Sequence, residues 1–462
     1  MEDLLSKIVS LCKRRGFIFP SSEIYGGFES CYDFGPLGVE LKNNIKKAWW
    51  KEMVQLRQNI VGLDSAILMS PKVWQASGHL TAGFADQLVE CKKCHKRFRK
   101  DYLKENKCPD CGGELTKERK FNLMMRTFVG PVEEKSAITY LRAETCQGIY
   151  MNYENAKNSM RLKIPFGIAQ IGKAFRNEIT PRYFIFKTRE FEQMEMQWFC
   201  VPPARKAAQT NANSDAGLRR ENWTPDQWFD YWKEQRIKWY LNLGIKKENL
   251  RFKETSKSDL PHYAKKAGDI QYKFPWGWGE IEGIHNRGDW DLSNHSKFSG
   301  IDLSYFDEET KRKFMPHIIE TSAGVDRSCL VFLCEAYQEV KGGRTKTTKA
   351  VKDKEVVLKL DKRLAPIKVA VLPLVKNKPE LVKKAKQVYE MLKPYFMCQY
   401  DELGSIGRRY RRQDEIGTFY ALTIDFESLR QEDLTIRDRD TMKQKRIKIK
   451  DLINTLKESL EI

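Results

Sequence analysis

The stretch AFRNEITPRYFIFKTREFEQMEMQWF, residues 174–199, predicts two β-strands joined by a charged loop. Successive side chains of a strand point to opposite sides of the sheet, so residues two apart share a face. The apolar side chains of the second strand fall on one face: Met194, Met196 and Trp198. Its polar side chains fall on the other: Gln193, Glu195 and Gln197. We expect Arg176 and Glu178 to share one face of the first strand. Such a polar surface is either solvated or the floor of a binding site.

Two helices are predicted N-terminal to this stretch. Apolar residues between positions 4 and 12 form one stripe at helical spacing, and Gly16 ends it. A second stripe follows the Gly-Pro turn at residues 35–36 and consists of Leu41, Ile45, Ala48, Trp49 and Met53. Periodicity alone identifies this second helix as a core helix.

The composition is that of a basic, folded protein of two or three domains. The 462 residues include 41% hydrophobic and 31% charged residues, which leaves enough apolar surface for a core. The formal net charge is +20, and residues 338–462 contribute half of it, with 29 Lys and Arg against 19 Asp and Glu. This surplus favours nucleic acid as a partner, although part of it would simply be solvated lysine.

The cellular compartment is predicted from two further features. The longest tight apolar cluster, CLVFLC at residues 329–334, has six residues, whereas about 18 are needed to span a bilayer. The N-terminal stretch carries acids at Glu2 and Asp3 and has no export signal. Eleven cysteines in such a chain indicate a reducing compartment. We therefore expect a cytoplasmic protein with no membrane partner.

Changes in composition divide the chain into five segments: 1–85, 86–120, 121–340 with an insertion near 201–260, 341–360 and 361–462. The second segment is rich in cysteine and lysine, as in an inserted module. The fourth is a Lys/Gly/Thr-rich linker without a burial pattern. In the fifth, apolar strand runs flank a helix with one apolar face, which predicts a small α/β module.

Two CxxC pairs lie in the second segment: Cys91, Cys94, Cys108 and Cys111. Four soft thiolates at this spacing suit a closed, tetrahedral and therefore structural Zn²⁺ site. Four reduced thiols without a metal are the alternative. CKKCH also matches a haem c attachment signature, but that attachment requires an exported chain, so we expect His95 to be a surface residue.

The wider pattern resembles the class II aminoacyl-tRNA synthetases. Three stretches are similar to motifs 1, 2 and 3 of that family: YDFGPLGVELKNN (32–44), the hairpin at 174–199 and ETSAGVDRSCLVFLCEAY (320–337). LRAETCQGIY (141–150) and GSIGRRYRRQDEIGT (404–418) extend the likeness, so that most of the chain resembles the dimeric type of glycyl-tRNA synthetase. Several long motifs in the same order make coincidence an inadequate explanation.

This resemblance implies an α+β fold in which a class II antiparallel sheet is flanked by helices. The sheet would lie in residues 1–85 and 121–340, with the Cys-rich module inserted at 86–120 and an anticodon-binding α/β domain at 361–462. The implied function is that of a glycine–tRNA ligase, which activates glycine with ATP to glycyl-adenylate and transfers glycyl to the 3′ end of tRNA(Gly). Mg²⁺ would accompany ATP, and motif 1 would form a homodimer.

The resemblance also implies roles for single residues. Arg176, Glu178 and Arg327 would be catalytic. The implied ATP site is Arg176, Asn177, Glu178, Phe186, Lys187, Thr188, Arg189, Glu190, Phe191, Glu280, Ile281, Gly324, Val325, Asp326 and Arg327. The implied glycine site is Arg99, Glu144, Phe191, Glu192, Gln193, Met194, Glu195, Glu320, Thr321, Ser322, Ala323 and Gly324.

The chemistry of these residue types agrees with the implied reaction. A guanidinium fork such as that of Arg176 can hold an α-phosphate and a carboxylate together, which a lysine does less well. Arg327 lies in the first turn of a predicted helix, where backbone N–H groups also favour phosphate. In the C-terminal segment, four arginines around an aromatic ring suit tRNA phosphates and a stacked base, although a solvated basic loop is the alternative: Arg408, Arg409, Tyr410, Arg411 and Arg412.

Two other functions fit the sequence less well. A non-catalytic nucleic-acid-binding subunit on the same scaffold would have little reason to keep Arg176, Glu195, Glu320 and Arg327 together. A class II ligase for proline, serine or threonine is disfavoured by the glycine-type stretches LRAETCQGIY and ETSAG. Glycine–tRNA ligation is therefore the function that the sequence favours.

Overall fold

The computed structural model describes residues 4–81, 84–180, 183–203, 223–342, 344 and 354–461. Parts of the predicted insertion near 201–260 and of the predicted linker 341–360 lie outside the described residues. Within the described part of the chain, no helix is both long enough and apolar enough to cross a membrane.

The helices in chain order are α1 (Leu4–Arg15), α2 (Pro36–Trp50), α3 (Pro71–Ala76), α4 (Cys146–Met151), α5 (Tyr153–Met160), α6 (Pro225–Asn242), α7 (Trp290–Ser299), α8 (Val325–Ala336), α9 (Pro379–Leu392), α10 (Ile406–Ile416), α11 (Ser428–Gln431) and α12 (Leu452–Leu460). A π-helical turn, Lys51–Gln55, continues α2.

The strands in chain order are β1 (Ile18–Pro20), β2 (Tyr32–Phe34), β3 (Ile60–Gly62), β4 (Ala85–Glu90), β5 (Arg97–Arg99), β6 (Arg119–Asn122), β7 (Met125–Phe128), β8 (Ile138–Leu141), β9 (Phe166–Phe175), β10 (Glu190–Cys200), β11 (Leu250–Glu254), β12 (Lys266–Phe274), β13 (Gly277–Gly288), β14 (Tyr305–Asp307), β15 (Arg312–Phe314), β16 (His317–Gly324), β17 (Tyr337–Lys341), β18 (Lys354–Leu358), β19 (Val369–Pro373), β20 (Cys398–Tyr400), β21 (Tyr420–Ile424), β22 (Asp433–Asp438) and β23 (Gln444–Lys448).

A seven-stranded sheet forms the centre of the molecule, in the order β11-β12-β13-β16-β10-β9-β3. Neighbouring strands within this sheet are antiparallel, except that β3 and β9 are parallel. The predicted hairpin is β9 and β10, paired over ten residues. β9 ends at Phe175, however, so the prediction that Arg176 and Glu178 lie in the strand was wrong: both residues belong to the connection that follows it.

The apolar face of the sheet is covered by helices. Trp198 of β10 packs against Trp228 and Trp232 of α6, with ring centroids 4.7 and 5.2 Å apart. The predicted Gly-Pro turn begins α2, in which Pro36 is the first residue. A Cβ added at Gly38 would lie 1.8 Å from the carbonyl oxygen of Phe17, so this position requires glycine for α2 to pack so closely.

Two smaller modules adjoin this core. The Cys-rich segment folds into a three-stranded sheet, β5-β4-β6. The C-terminal segment is a five-stranded sheet in the order β20-β19-β21-β22-β23, with its own core beneath α9 and α12. Leu360, Leu364, Ile367 and Ile416 instead pack into the core of the large sheet, so the C-terminal module is joined to it through apolar contacts.

Candidate active site

A cavity of about 220 Å³ lies over the polar face of the large sheet. β10, β13 and β16 form its floor, and the β9–β10 connection and the start of α8 form its rim. Many of the predicted site residues line it: Glu144, Arg176, Glu178, Phe186, Lys187, Thr188, Phe191, Gln193, Glu195, Glu280, Glu320, Ser322, Gly324, Asp326 and Arg327. The polar face of β10 is therefore the floor of a cavity and is not a solvated surface.

The rim of the cavity carries cations. Nε of Arg176 donates to the carbonyl oxygen of Ala143 at 3.0 Å, and the guanidinium lies 5.5 Å from the ring centroid of Phe191. Nε of Arg327 donates to the carbonyl oxygen of Phe186 at 3.0 Å, while its Nη1 lies 3.0 Å from the carboxylate of Glu280. The guanidinium groups of Arg176 and Arg327 are thus both fixed through Nε, and in this arrangement they can present terminal nitrogens to an anion.

Glu320 is an ionised carboxylate at the floor of the cavity. It accepts hydrogen bonds from Arg287 at 3.1 Å and from Gln197 at 2.9 Å, and Nδ1 of His285 lies 2.6 Å away. Burial disfavours the charge of Glu320, but Arg287 and His285 overcome this effect and hold its pKa at about 2. The same contact raises the pKa of His285 above its ordinary value, although burial opposes that shift.

Glu195 lies beside Glu320 in a different environment. It accepts hydrogen bonds from the hydroxyl groups of Ser322, at 2.6 Å, and Thr145. These donors are neutral, and Glu195 itself is only 2% exposed. Burial raises the pKa of Glu195 to about 7, with a further contribution from the charges of Glu320 and Glu144. Glu195 is therefore the floor carboxylate whose charge is least compensated.

Glu144 completes the anionic floor. It accepts hydrogen bonds from Gln147 at 2.9 Å and from the thiol of Cys146 at 3.0 Å, and Nε2 of His79 lies 3.4 Å away. Burial opposes ionisation, but His79 outweighs it and holds the pKa of Glu144 well below its usual range. A cationic rim above three carboxylates can accept a ligand that has an anionic end and an ammonium end.

The register of the sheet brings these groups together. Glu195 of β10 lies opposite Ser322 of β16, and Glu320 of β16 lies opposite His285 of β13. Residues one position away point into the core instead. For this reason, three predicted site residues of these strands have side chains in the apolar core and do not line the cavity: Met194, Ile281 and Ala323. Val325, the first residue of α8, also packs in the core. The hydroxyl of Thr321 is buried and has no hydrogen-bond partner among the described residues.

Other predicted site residues lie outside the cavity because they have other partners. Glu192 pairs with Lys42 and Lys46, and Glu190 pairs with Lys173. Arg189 donates to the backbone of Glu29. The backbone N–H of Asn177 donates to Leu123.

Arg99 also lies outside the cavity. It pairs with Asp86 at 2.9 Å and with Asp101 at 2.7 Å, and its guanidinium stacks on the ring of Tyr102. Its predicted contact with glycine stays a prediction.

Several residues that line the cavity were not predicted from the sequence: Ile185, Tyr263, Gly283, His285 and Arg287. Gly283, His285 and Arg287 are two apart on β13, so the alternation rule used for β10 would have placed them on one face. Tyr263 lies in a loop and has no comparable signal. Arg287 forms ion pairs with Asp291, at 2.7 Å, and with Glu320. All three residues are buried, and this chain of ion pairs is part of the floor of the cavity.

The four predicted zinc ligands lie together. Their sulfur atoms are within 4.8 Å of one another, with Cys91 and Cys111 at 3.5 Å and Cys94 and Cys108 at 3.6 Å. A tetrahedral Zn²⁺ with Zn–S distances of about 2.3 Å holds its sulfurs about 3.8 Å apart. A Cβ added at Gly113 would lie 2.9 Å from Cys91 Sγ, so the chain folds closely around the thiols. These residues fit a structural Zn²⁺.

The basic segment at residues 404–418 is largely the helix α10, and it is divided between two roles. Arg409 is 1% exposed and donates to the carbonyl oxygens of Leu374, at 3.0 Å, and Pro373. Tyr410 bonds Thr423, and Arg437 stacks on its ring. Arg409 is thus packed inside the module and Tyr410 is half-buried, and their predicted contact with tRNA stays a prediction. Arg408 is exposed, and Arg411 and Arg412 are half-buried.

Comparisons with known proteins agree on the family. The family model described as tRNA synthetase class II core domain (G, H, P, S and T) matches residues 131–336, and the anticodon binding domain model matches residues 368–459. The glycine–tRNA ligase of Treponema denticola is 50% identical over 99% of this chain and 97% of its own. Those of Thermobifida fusca and Borreliella burgdorferi are 49% and 50% identical over 99% of this chain, covering 98% and 97% of their own.

Proposed function

Because the chain belongs to the glycine–tRNA ligase family of the class II tRNA synthetases, we propose that its cavity joins glycine to ATP and then passes the glycyl group to tRNA(Gly). The observation that carries this proposal is the division of one cavity into a cationic rim and a floor of three carboxylates. A triphosphate requires the first, and the ammonium of an amino acid requires the second.

The rim holds ATP in this proposal. Arg176 bridges the α-phosphate and the glycine carboxylate, which fixes the line of attack and stabilises the charge that builds on phosphorus. Arg327 holds the far end of the triphosphate from the first turn of α8. Phe191, beneath Arg176, offers its ring to adenine. The ion pair of Glu178 and Lys187, at 2.9 Å, closes this side of the site.

The floor holds the ammonium of glycine among Glu144, Glu195 and Glu320. Glycine has no side chain to contact, so the site must discriminate by leaving no room for a methyl group. The cavity is small, and fixed partners surround its acids: Ser322 bonds Glu195, and Arg287 bonds Glu320. A larger amino acid would have to displace these buried bonds.

Mg²⁺ would be held by Glu280 together with the phosphate oxygens, since magnesium prefers a few carboxylates and phosphate. Glu280 lines the cavity and lies 3.0 Å from Nη1 of Arg327, the cation assigned to the far end of the triphosphate. The ion would neutralise charge on the phosphates. Zn²⁺, held by the four cysteines, would have a structural role only.

A homodimer, formed through the region around motif 1, is part of the proposal. Ile24 and Tyr25, in the loop between β1 and β2, are 88% and 86% exposed, and Phe28 is also exposed. Apolar side chains grouped in this way mark interfaces. Analytical ultracentrifugation should give twice the chain mass, and Tyr25→Glu should lower it. A role in protein synthesis supports a cytoplasmic location, which is also part of the proposal.

The decisive experiment is amino acid-dependent ATP–pyrophosphate exchange with glycine, alanine and serine side by side. We expect exchange with glycine and at least 100-fold less with alanine. Glu320→Ala should raise the glycine requirement steeply while ATP still binds. Equal exchange with all three amino acids, or none with glycine, would overturn the proposal.

A further inference from the structure

Three aromatic rings form a continuous stack beside the rim of the cavity. Phe274 ends β12, and Trp276 lies in the turn between β12 and β13. Their rings are stacked, with centroids 4.6 Å apart and planes 7° apart. The ring of Tyr183, from the β9–β10 connection, stacks on Trp276 with centroids 4.4 Å apart and planes 2° apart. Trp276 is therefore the middle ring of this aromatic stack.

The aromatic stack holds Phe186, a residue that lines the cavity. The ring of Phe186 meets those of Phe274 and Trp276 edge-on, with centroids 5.2 and 5.5 Å apart and interplanar angles of 74° and 72°. Aromatic rings prefer stacked and edge-to-face contacts, which stabilise a structure beyond the apolar area that they bury. Gly279 leaves room for the ring, because a Cβ there would lie 3.0 Å from Cζ of Phe186. The position of Phe186 is thus defined by its neighbours.

Phe186 in turn fixes the guanidinium of Arg327. The carbonyl oxygen of Phe186 accepts a hydrogen bond from Nε of Arg327 at 3.0 Å. Its ring centroid lies 4.8 Å from the guanidinium carbon, which is a cation–π contact. An arginine side chain has many rotamers, and one that is already held in its binding orientation loses less entropy when it binds a phosphate. The packing of the aromatic stack therefore reaches the cationic rim through one residue.

The backbone is strained where it brings Tyr183 to the stack. Tyr183 and Phe184 have φ values of 61° and 57°, in the left-handed region that bulky residues seldom adopt. Such a conformation persists only where surrounding contacts offset its cost. Here the ring of Tyr183 lies on Trp276, and the ring of Phe184 lies 5.1 Å from that of Tyr32. Aromatic contacts thus hold this part of the β9–β10 connection in place.

We propose that Trp276 is a positioning residue for Arg327: through Phe186 it keeps the guanidinium in the orientation that binds ATP. This inference rests on the proposed function, in which Arg327 holds the far end of the triphosphate. Trp276 itself does not line the cavity. Its effect on ATP is therefore indirect, and its loss should leave the glycine site on the floor intact.

Substitutions in the β12–β13 hairpin test this role in glycine-dependent ATP–pyrophosphate exchange. Trp276→Ala removes the middle ring, and the KM for ATP should rise about tenfold, the size expected from losing one aromatic pair. Trp276→Phe keeps a ring and should stay within about threefold of wild type, and the KM for glycine should change less than about twofold in both variants. Trp278→Ala is the matched control and should leave the KM for ATP unchanged, since Trp278 is 36% exposed, stacks with Arg251 and does not line the cavity.

Gly279→Ala perturbs the same ring without removing any aromatic side chain. Its Cβ would lie 3.0 Å from Cζ of Phe186, so the ring must move. The KM for ATP should rise as in Trp276→Ala, and this variant serves where Trp276→Ala gives too little folded protein. An unchanged KM for ATP in Gly279→Ala would overturn the proposal.

A double-mutant cycle tests whether Trp276 acts through Arg327. In an Arg327→Ala background there is no guanidinium to position, so the addition of Trp276→Ala should change the KM for ATP less than about twofold. The full penalty of Trp276→Ala in both backgrounds would overturn the proposal. An equal rise in the KM for glycine and for ATP would also overturn it, because the effect would then be a general loss of structure.

Failure of the proposed function would look different. Wild-type protein without glycine-dependent exchange would refute that function, whatever the variants do. The dissociation constant of ATP, measured by titration calorimetry on the same variants, would then test the aromatic stack directly, with the same pattern expected.

Discussion

Acidification is expected to weaken glycine binding through one residue, Glu195. This carboxyl group faces the proposed ammonium site, and burial together with Glu320 and Glu144 raises its pKa to about 7. Its carboxylate form attracts the ammonium of glycine, whereas its protonated form does not. Glu320 and Glu144 stay ionised over the same range because their partners hold their pKa values far lower.

The expected magnitude follows from that pKa. With a pKa of about 7, Glu195 is ionised in about one eleventh of the protein at pH 6 and in about ten elevenths at pH 8. The KM for glycine should therefore rise about tenfold as the pH falls from 8 to 6. The sign follows from the raised pKa: the carboxylate is present above pH 7 and is lost below it. Glycine keeps its ammonium throughout, and the KM for ATP should change little.

The assay is ATP–pyrophosphate exchange at varied glycine concentration from pH 6 to pH 8. Glu195→Gln is the matched control, since an amide of the same shape can still bond Ser322 and Thr145. Its KM for glycine should be at least about tenfold higher at pH 8, because a charge-assisted contact is lost, and should no longer depend on pH.

Two results would refute this reasoning. A KM for glycine that is flat from pH 6 to pH 8 in wild type would mean that Glu195 is already ionised throughout. An unchanged pH profile in Glu195→Gln would assign the titration to another group, for which His285, bonded to Glu320, is the first candidate.

Three further predictions concern the rim, the cysteines and the basic helix. Arg176→Lys should lower kcat/KM for exchange about 100-fold, because a point charge cannot replace the fork, whereas the exposed Arg126→Lys should stay within twofold; equal losses would refute the role of the rim. Mass spectrometry should detect no bound zinc in Cys108→Ser protein, whereas Cys398→Ser protein should keep its zinc. Wild-type protein without zinc would refute the site. Arg408→Ala should reduce the slope of log K for tRNA binding against log salt concentration by about one unit. Arg409→Ala should instead lower the melting temperature of the protein. The reverse pattern would refute the burial of Arg409.

The sequence by itself determined the local elements, because each depends on neighbours in the chain. The stripe of Leu381, Ala385, Val388 and Leu392 is the buried face of α9. The alternation in residues 193–198 places Met194 and Trp198 in the core and Glu195 in the cavity. The CxxC spacing brings four sulfurs together. In each case the period of the helix or strand, or a tight turn, is sufficient to fix the geometry.

Only the tertiary structure decided which polar residues share a site. β10 lies between β9 and β16, so Glu195 meets Ser322, 127 residues away, and no periodicity encodes that pairing. Both acids are buried, but Arg287 and His285 hold the pKa of Glu320 at about 2, whereas Glu195, which has no such cationic partner among the described residues, has its pKa raised to about 7. Long-range packing also withdraws Arg409 into the C-terminal module, where it donates to the carbonyl oxygen of Leu374. Charge in a sequence shows which residues can bind an ion, but solvent exposure and through-space partners decide which of them do.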